Sequence, residues 1–200
     1  FRREKANMPW EKSFDESDVV DQAMQVFWEK GYAGTSISDI IESTGVKRGS
    51  LYNAFEGKQD LFLRALLKYD DEQRRQRLRQ LEAIDDPREA ITTFFDGIVK
   101  DSLKDPARRG CLVINTSLDY EHHDEEVRKI VDDAFRELTD FFERAIRRGH
   151  EQGTIPASVE PRPTSRALVA LLVGIRVLGR GAMGRTALQQ IAAQAKRLIS

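Results

Sequence analysis

The sequence predicts an all-α fold of about nine helices, and three observations carry that prediction. The 200 residues are rich in Ala, Leu, Arg and Glu and contain few strand-like runs. Apolar residues recur three and four positions apart in one segment after another, which is the period of a helix face. Capping residues, glycines and prolines separate these segments.

Composition also narrows the functional classes. The net charge is −1, and residues 1–60 hold 8 Lys/Arg against 11 Asp/Glu, so any nucleic-acid-binding surface has to be local. The single cysteine, Cys111, excludes an internal disulfide framework and suits a reducing cytosol. No apolar run approaches the ~20 residues of a membrane span, and we expect no signal peptide.

The N-terminal third is predicted to form a mobile arm over residues 1–14 and a group of three short helices. Asp15 or Ser17 caps the first helix, and Gly31 ends it. Ser36 caps the second helix, with Asp39 in the position of a capping box. Gly45 then ends the second helix, and a third is expected over residues 48–54.

The remaining chain is predicted to form longer helices. One starts near Lys58 and runs into the eighties, and its charged stretch QRRQRLRQ is expected to be a solvated face. Asp86-Pro87 begins the next helix, and Asp105-Pro106 ends it. Four more helices are expected over residues 111–118, 124–151, 164–179 and 185–199. We divide the chain into an arm (1–14), a helix-turn-helix domain (15–57), and an effector-binding and dimerisation domain (58–200).

The segment GTSISDIIESTGVKRGSLYNAFEGKQDLF resembles the tetracycline-repressor (TetR) family of bacterial transcription regulators. The surrounding WEKGYAGTS, GCLVINTSLDY and GIRVLGRGA segments are similar to one subgroup of that family, so the resemblance covers about residues 15–199. It implies a cytoplasmic homodimer that binds double-stranded operator DNA. A small molecule of unknown identity in the larger domain would move the two DNA-reading heads apart.

The resemblance assigns DNA contacts to the third helix and its surroundings. Lys and Arg neutralise phosphates, Arg also pairs with guanine, and Asn pairs with adenine. The predicted DNA-binding residues are Thr35, Ser36, Lys47, Arg48, Gly49, Ser50, Tyr52, Asn53 and Lys58. The alternative is a surface helix that only packs.

Two departures from the family pattern limit this assignment. Lys47 stands where a small Ser or Thr is usual, so we expect a weaker helix cap and a phosphate contact. Asn53-Ala54 replaces the common aromatic or His pair, so the operator sequence cannot be inferred from a relative. A basic arm of Arg2, Arg3, Lys5 and Lys12 is a lesser candidate for the minor groove, the alternative being a disordered end.

An apolar effector cavity is expected between the central helices. Its predicted lining residues are Phe94, Phe95, Ile98, Cys111, Leu118, Phe135, Leu138 and Phe142. The same spacing also fits plain core. Cys111 follows two arginines and stands near a predicted helix start, which would favour a thiolate and suggests a redox or electrophile sensor; an inert buried thiol is the alternative.

We predict no metal site and no cofactor. The Glu121-His122-His123-Asp124 stretch places its two histidines about 100° apart on a helix, so Asp124 is better explained as a helix cap.

The last two helices are too apolar for solvent and are predicted to form an intersubunit four-helix bundle. The predicted interface residues are Leu168, Leu171, Leu172, Ile175, Leu178, Leu188, Ile191 and Ala195. A core helix within a monomer is the alternative.

The resemblance to the TetR family, together with these patterns, implies a ligand-released repressor that binds a palindromic operator. An enzyme is not expected, because no catalytic motif is present. The other hypotheses are thiol-based sensing through Cys111 and a ligand-independent DNA-binding adaptor.

Overall fold

The computed structural model describes residues 14–200, and within them it contains helices but no strand. The first four helices are α1 (Glu16–Gly34), α2 (Ile37–Thr44), α3 (Arg48–Ala54) and α4 (Lys58–Tyr69). The others are α5 (Gln76–Glu82), α6 (Pro87–Lys104), α7 (Leu112–Leu118), α8 (Glu125–Gln152), α9 (Pro161–Leu178) and α10 (Arg185–Arg197). A 3₁₀ turn spans Tyr120–His122. The all-α prediction is confirmed.

Capping residues begin and end the helices much as the sequence predicted. The Asp15 carboxylate accepts a hydrogen bond from the Ser17 amide at the start of α1, and Gly31 breaks the helical path of α1 at φ +74°. Asp86 caps α6, with Pro87 in its first turn. In α9 the boundary differs from the prediction, since Pro161 already occupies the first helical position and the helix starts three residues early.

A π-helical turn over Asp70–Arg75 joins α4 to α5, so the chain is helical without a break from Lys58 to Glu82. The long helix was predicted from the sequence, but the π turn within it was not. A π turn inserts one residue into the helical path and rotates the side chains that follow it. This turn therefore decides which of the arginines after Tyr69 face inward.

Two apolar cores stabilise the chain. The first joins α1, α2, α3 and α4, and its fully buried side chains include Phe27, Ile40, Leu51, Phe55 and Phe62. It continues beyond the predicted boundary at residue 57 into α7 and α8, through Leu112, Val113, Val127 and Ala134. We call α1 to α3 the head and α4 to α10 the larger region. The head is thus packed continuously onto the larger region.

The second core lies among α5, α6, α8, α9 and α10. At its centre the rings of Phe94 and Phe95 pack on those of Phe141 and Phe142, with centroids 5.1 to 6.2 Å apart across the two helices. These contacts hold α6 against α8 and form one side of the cavity described below.

Candidate nucleic-acid interface and effector cavity

The α2–α3 pair has the geometry of a helix-turn-helix unit. Ser36 and Asp39 form a complete capping box, in which each side chain accepts a hydrogen bond from the other residue's backbone N–H. Lys30 donates to the same carboxylate at 2.6 Å, and these hydrogen bonds hold the pKa of Asp39 well below its usual range. Gly45 ends α2 in the left-handed region at φ +66° and turns the chain toward α3.

Helix α3 is anchored on one side and free on the other. Leu51 and the following Phe55 are buried in the first core. The opposite side is exposed and holds no acidic residue. This face is therefore positively charged, although the overall composition of the chain is nearly neutral. Its exposed residues are Lys47, Arg48, Gly49, Tyr52 and Asn53, and Ser50 is half-buried.

The N-terminus of α3 has no side-chain cap. Lys47 occupies the cap position and accepts no hydrogen bond there, as the sequence led us to expect. The Arg48 guanidinium lies 6.0 Å from the centre of the Tyr52 ring. Both side chains therefore extend from the same exposed face.

Three predicted DNA contacts are tied into the protein itself. The Thr35 side chain is buried, its hydroxyl donates to the Gly31 carbonyl at 2.7 Å, and its backbone N–H donates to the Tyr32 carbonyl. The Ser36 hydroxyl is held by Asp39 at 2.6 Å. The Lys58 ammonium donates to the carbonyls of Tyr32 and Thr35 at 2.9 and 3.0 Å, which leaves one N–H for any other partner.

The predicted basic arm of Arg2, Arg3, Lys5 and Lys12 lies outside the described residues, and its role stays a prediction.

A cavity of about 130 Å³ lies in the larger region and reaches the head. The six central helices α4 to α9 and the π turn contribute to its wall, and Trp28 of α1 closes one side. Of the predicted residues, the wall contains Phe94, Ile98, Cys111, Phe135 and Leu138.

The other three predicted lining residues lie elsewhere. Phe95 and Phe142 are fully buried in the aromatic core, because they face the neighbouring helices rather than the cavity. Leu118, at the end of α7, is 58% exposed. Apolar spacing identifies a buried face but does not separate a cavity wall from filled core.

The polar part of the wall was not predicted. It includes Gln73, Arg74, Arg77, Asp101 and Arg176. The expectation of a solvated QRRQRLRQ face is wrong for Arg74, whose side chain is only 10% exposed. A usable signal was present, because positions 74, 77, 78 and 81 share one helix face and the last two are buried leucines.

Carboxylates pair with Arg74 and with its neighbour Arg75. Asp70, which is 1% exposed, accepts two hydrogen bonds from Arg74 at 2.5 and 2.6 Å. Arg75 reaches Glu137 at 3.1 Å, and Arg74 lies 2.9 Å from the same carboxylate. Burial opposes the ionisation of Glu137, but hydrogen bonds from Arg74 and Arg75 outweigh it and lower the pKa of Glu137.

Cys111 is half-buried at the cap position of α7 and lies next to Tyr69 in the wall. Burial raises the pKa of Tyr69, and the neighbouring Cys111 raises it further. The guanidinium of Arg109, two residues before the thiol, instead donates to the Asp105 carboxylate and to Gln25. A sensing role for Cys111 remains a hypothesis.

Arg109 and Trp28 connect the cavity wall to the head. The guanidinium of Arg109 lies 4.0 Å from the centre of the Trp28 ring and also donates to Gln25 of α1 at 2.8 Å. Trp28 packs edge-on against Tyr69 of α4. A change in the cavity can therefore act on α1 through direct contacts.

The two adjacent histidines differ in their surroundings. Asp124 caps α8 by accepting from the Val127 amide at 2.8 Å, as predicted. His123 stacks on Phe62 with ring centroids 5.6 Å apart, and its burial lowers its pKa. His122 is exposed. Over residues 14–200, no group of three metal-ligating side chains lies together.

The predicted interface residues of the last two helices divide into two sets. Leu168, Leu172, Ile175, Leu188 and Ala195 are buried within the protomer's own core, because they pack against α6, α8 and each other. Leu171, Leu178 and Ile191 are only half-buried. Leu198, which belongs to the same predicted apolar stripe as Leu188 and Ile191, is 40% exposed at the end of α10.

Two family models match the chain. That of bacterial regulatory proteins of the tetR family matches residues 19–65, and that of the tetracyclin repressor-like C-terminal domain matches residues 87–195. No helix within residues 14–200 is long and apolar enough to cross a bilayer.

Two curated relatives are similar in sequence over most of the length of this chain. The HTH-type transcriptional regulator YezE of Bacillus subtilis is 34% identical over 145 residues, which cover 72% of this chain and 74% of YezE. The transcriptional repressor ComR of Escherichia coli is 27% identical over 94% of this chain and 90% of its own.

Two solved structures share the fold. One is the TetR family regulator CifR, as a cysteine mutant complexed with a 26-base-pair operator DNA; it has a TM-score of 0.80, 28% identity, and coverage of 92% of this chain and 97% of CifR. The other is a TetR regulator from Chloroflexus aurantiacus, with a TM-score of 0.82, 28% identity and 92% coverage of both chains. The chain belongs to the TetR family of bacterial transcription regulators.

Proposed function

We propose that α3 supplies the operator contacts of this DNA-binding transcription repressor. The observation that carries the proposal is the exposed, acid-free face of a helix whose other side is locked into the core by Leu51. A helix anchored in this way enters a major groove without rearrangement of the head. The operator complex of CifR supports a duplex operator for this chain as well.

Each exposed residue of α3 has a role that fits its chemistry. Arg48 is the candidate for bidentate pairing with guanine, and Asn53 for pairing with adenine. Lys47 and the Tyr52 hydroxyl are candidates for phosphate contacts, and Gly49 lets the backbone approach the duplex. Ser36 and the third N–H of Lys58 are secondary candidates at the edge of this face. No catalytic role is proposed for any residue.

The active unit is a homodimer in the bacterial cytoplasm that reads a palindrome. Half-buried Leu171 and Leu178 on α9, with Ile191 and Leu198 on α10, leave an apolar strip that a second copy would cover. Four such helices from two subunits would form a bundle. Half-sites are then expected about one to two helical turns apart.

Release of the operator follows binding of a small molecule in the cavity. The hollow interior supports this function over a ligand-independent adaptor, whose interior would be filled. A ligand that prefers the non-binding state by a few kcal/mol is enough to shift the population of heads. The contacts of Arg109 with Trp28 and Gln25 offer a direct route to α1.

The decisive experiment is selection of an operator from a randomised duplex pool, followed by fluorescence anisotropy. Arg48→Ala should weaken operator binding by about tenfold or more and flatten its salt dependence, because one charge-assisted contact is lost. Arg147→Gln is the matched control, since that exposed arginine on α8 pairs only with Glu143 among the described residues. Equal binding by Arg48→Ala and the unaltered protein would refute α3 as the reading helix.

A further inference from the structure

At one position in the cavity wall, positive side chains outnumber the carboxylates that pair with them. Arg77 of α5 and Arg176 of α9 both pair with the same carboxylate, Asp101 of α6, and the Arg176 nitrogen lies 3.6 Å from it. Arg176 has a further contact with the Ser102 hydroxyl, which is neutral. Two guanidinium groups therefore share one negative charge, and one positive charge remains in the wall.

The neighbouring arginines do not have this excess. Arg74 and Arg75 are matched by Asp70 and Glu137. Arg109 is matched by Asp105. Arg108, the other arginine of the wall, is exposed to solvent. The surplus in the buried part of the wall is thus confined to the Arg77–Asp101–Arg176 group, whose Arg176 side chain is only 13% exposed. A partly buried charge without a counter-ion is costly, so a bound anion would stabilise this group.

Unused hydrogen-bond donors point to the same chemistry. The Arg77 Nη1 and Trp28 Nε1 groups are buried, and neither has a hydrogen-bond partner within the described part of the chain. Both side chains belong to the cavity wall. Buried donors are normally paired, and a ligand with acceptor oxygens would supply partners.

The rest of the wall sets the size and polarity of the ligand's body. Phe94, Ile98, Ile114, Leu138 and Leu172 make that part apolar. The cavity volume of about 130 Å³ is comparable to the ~150 Å³ that holds a benzene ring. A single ring or a short aliphatic chain therefore fits.

We propose that the cavity binds a compact monocarboxylate, with its carboxylate at Arg77 and Arg176 and its apolar body among the α6, α8 and α9 side chains. The single uncompensated charge favours a monoanion over a dianion such as phosphate. This inference rests on the proposed function, because it identifies the chemical class of the releasing ligand.

The test is calorimetric titration of the full chain with acid and amide pairs of equal shape. The probes are benzoate with benzamide and cyclohexanecarboxylate with its amide, alongside inorganic phosphate. At least one acid should bind about tenfold more tightly than its amide, the effect of a hydrogen bond to a charged group. Arg77→Gln and Arg176→Gln should abolish that preference, whereas Arg147→Gln should keep it.

A variant that is expected to strengthen acid binding distinguishes loss of the site from simple misfolding, because a misfolded protein would bind less tightly. Asp101→Asn removes the only carboxylate that pairs with both arginines in the described chain, so it should increase the acid preference. The proposal is overturned if no acid is preferred over its amide, if phosphate binds more tightly than the acids, or if Asp101→Asn weakens acid binding. Operator binding is measured separately; operator release by a neutral molecule would refute only the ligand class, and loss of specific operator binding would refute the proposed function.

Discussion

At the scale of single residues, two glycines of the helix-turn-helix unit have opposite requirements. Gly45 adopts φ +66° at the end of α2, a conformation that a side chain strains. Gly49 lies in helical conformation on the exposed face of α3, and an added Cβ would meet no atom within 4 Å. One glycine therefore serves the fold, and the other serves the proposed approach to DNA.

Alanine substitutions should separate these two roles. Gly45→Ala should lower the free energy of unfolding by about 1 kcal/mol because of the left-handed backbone. Gly49→Ala should raise it by about 0.5 kcal/mol, since alanine favours a helix, while weakening operator binding. Urea unfolding and fluorescence anisotropy measure the two quantities. A Gly49→Ala protein that binds its operator normally would contradict the close approach of backbone to duplex.

At the scale of elements, the continuous helix from Lys58 to Glu82 joins the two halves of the molecule. Its first turns belong to the core of the head, and its π turn and α5 supply Gln73, Arg74 and Arg77 to the cavity wall. Asp70 holds the π turn by pairing with Arg74 while almost fully buried. Breaking such a pair leaves a charge without a partner in the interior.

Asp70→Asn should therefore destabilise the protein by about 3 kcal/mol. Asp71→Asn is the control, because the adjacent Asp71 pairs with Arg79 on an exposed surface and should change stability by less than about 1 kcal/mol. The two variants are compared by chemical unfolding monitored by circular dichroism. Similar losses of stability in both variants would mean that the buried ion pair of Asp70 stabilises the protein no more than the exposed pair of Asp71.

At the scale of the whole molecule, His123 lies where the head meets the larger region. It packs against Tyr32 of α1 and Phe62 of α4, just before α8 begins. Burial lowers the pKa of His123, and this effect outweighs the nearby carboxylates of Asp119 and Asp124, which act in the opposite direction. The native protein thus binds its proton less readily than the unfolded chain does.

This difference makes stability depend on pH in a known direction. Stability from neutral His123 is fully present above the unfolded pKa of about 6.5 and is lost as pH falls through that value toward the lower folded pKa. His123→Phe keeps the ring stacking and should flatten the loss of thermal stability between neutral and mildly acidic pH. His122→Phe, at an exposed neighbour, should leave the profile unchanged; an unchanged profile for His123→Phe would contradict the argument.

Much of the fold and part of the site could be predicted from the sequence. Caps such as Asp15, the Ser36–Asp39 box and Gly45 act within a few residues, so their geometry is encoded locally. Helix α3 was predicted for the same reason, because its exposed and buried faces follow from the helical period, whereas its role in reading DNA was implied by the family resemblance and stays a proposal. The family resemblance rested on this local pattern.

The tertiary structure alone decided which residues form the cavity and which fill the core. Phe94 and Phe95 are neighbours in one helix, yet only the first lines the cavity. The Arg77–Asp101–Arg176 group joins side chains from three helices, and α5 follows the π turn in a rotation that places Arg77 in the cavity wall and leaves Arg79 exposed. The sequence by itself determined the helices, their caps and the family, because those depend on short-range patterns. The shape and charge of the cavity depend on contacts between distant segments, which a one-dimensional pattern does not contain.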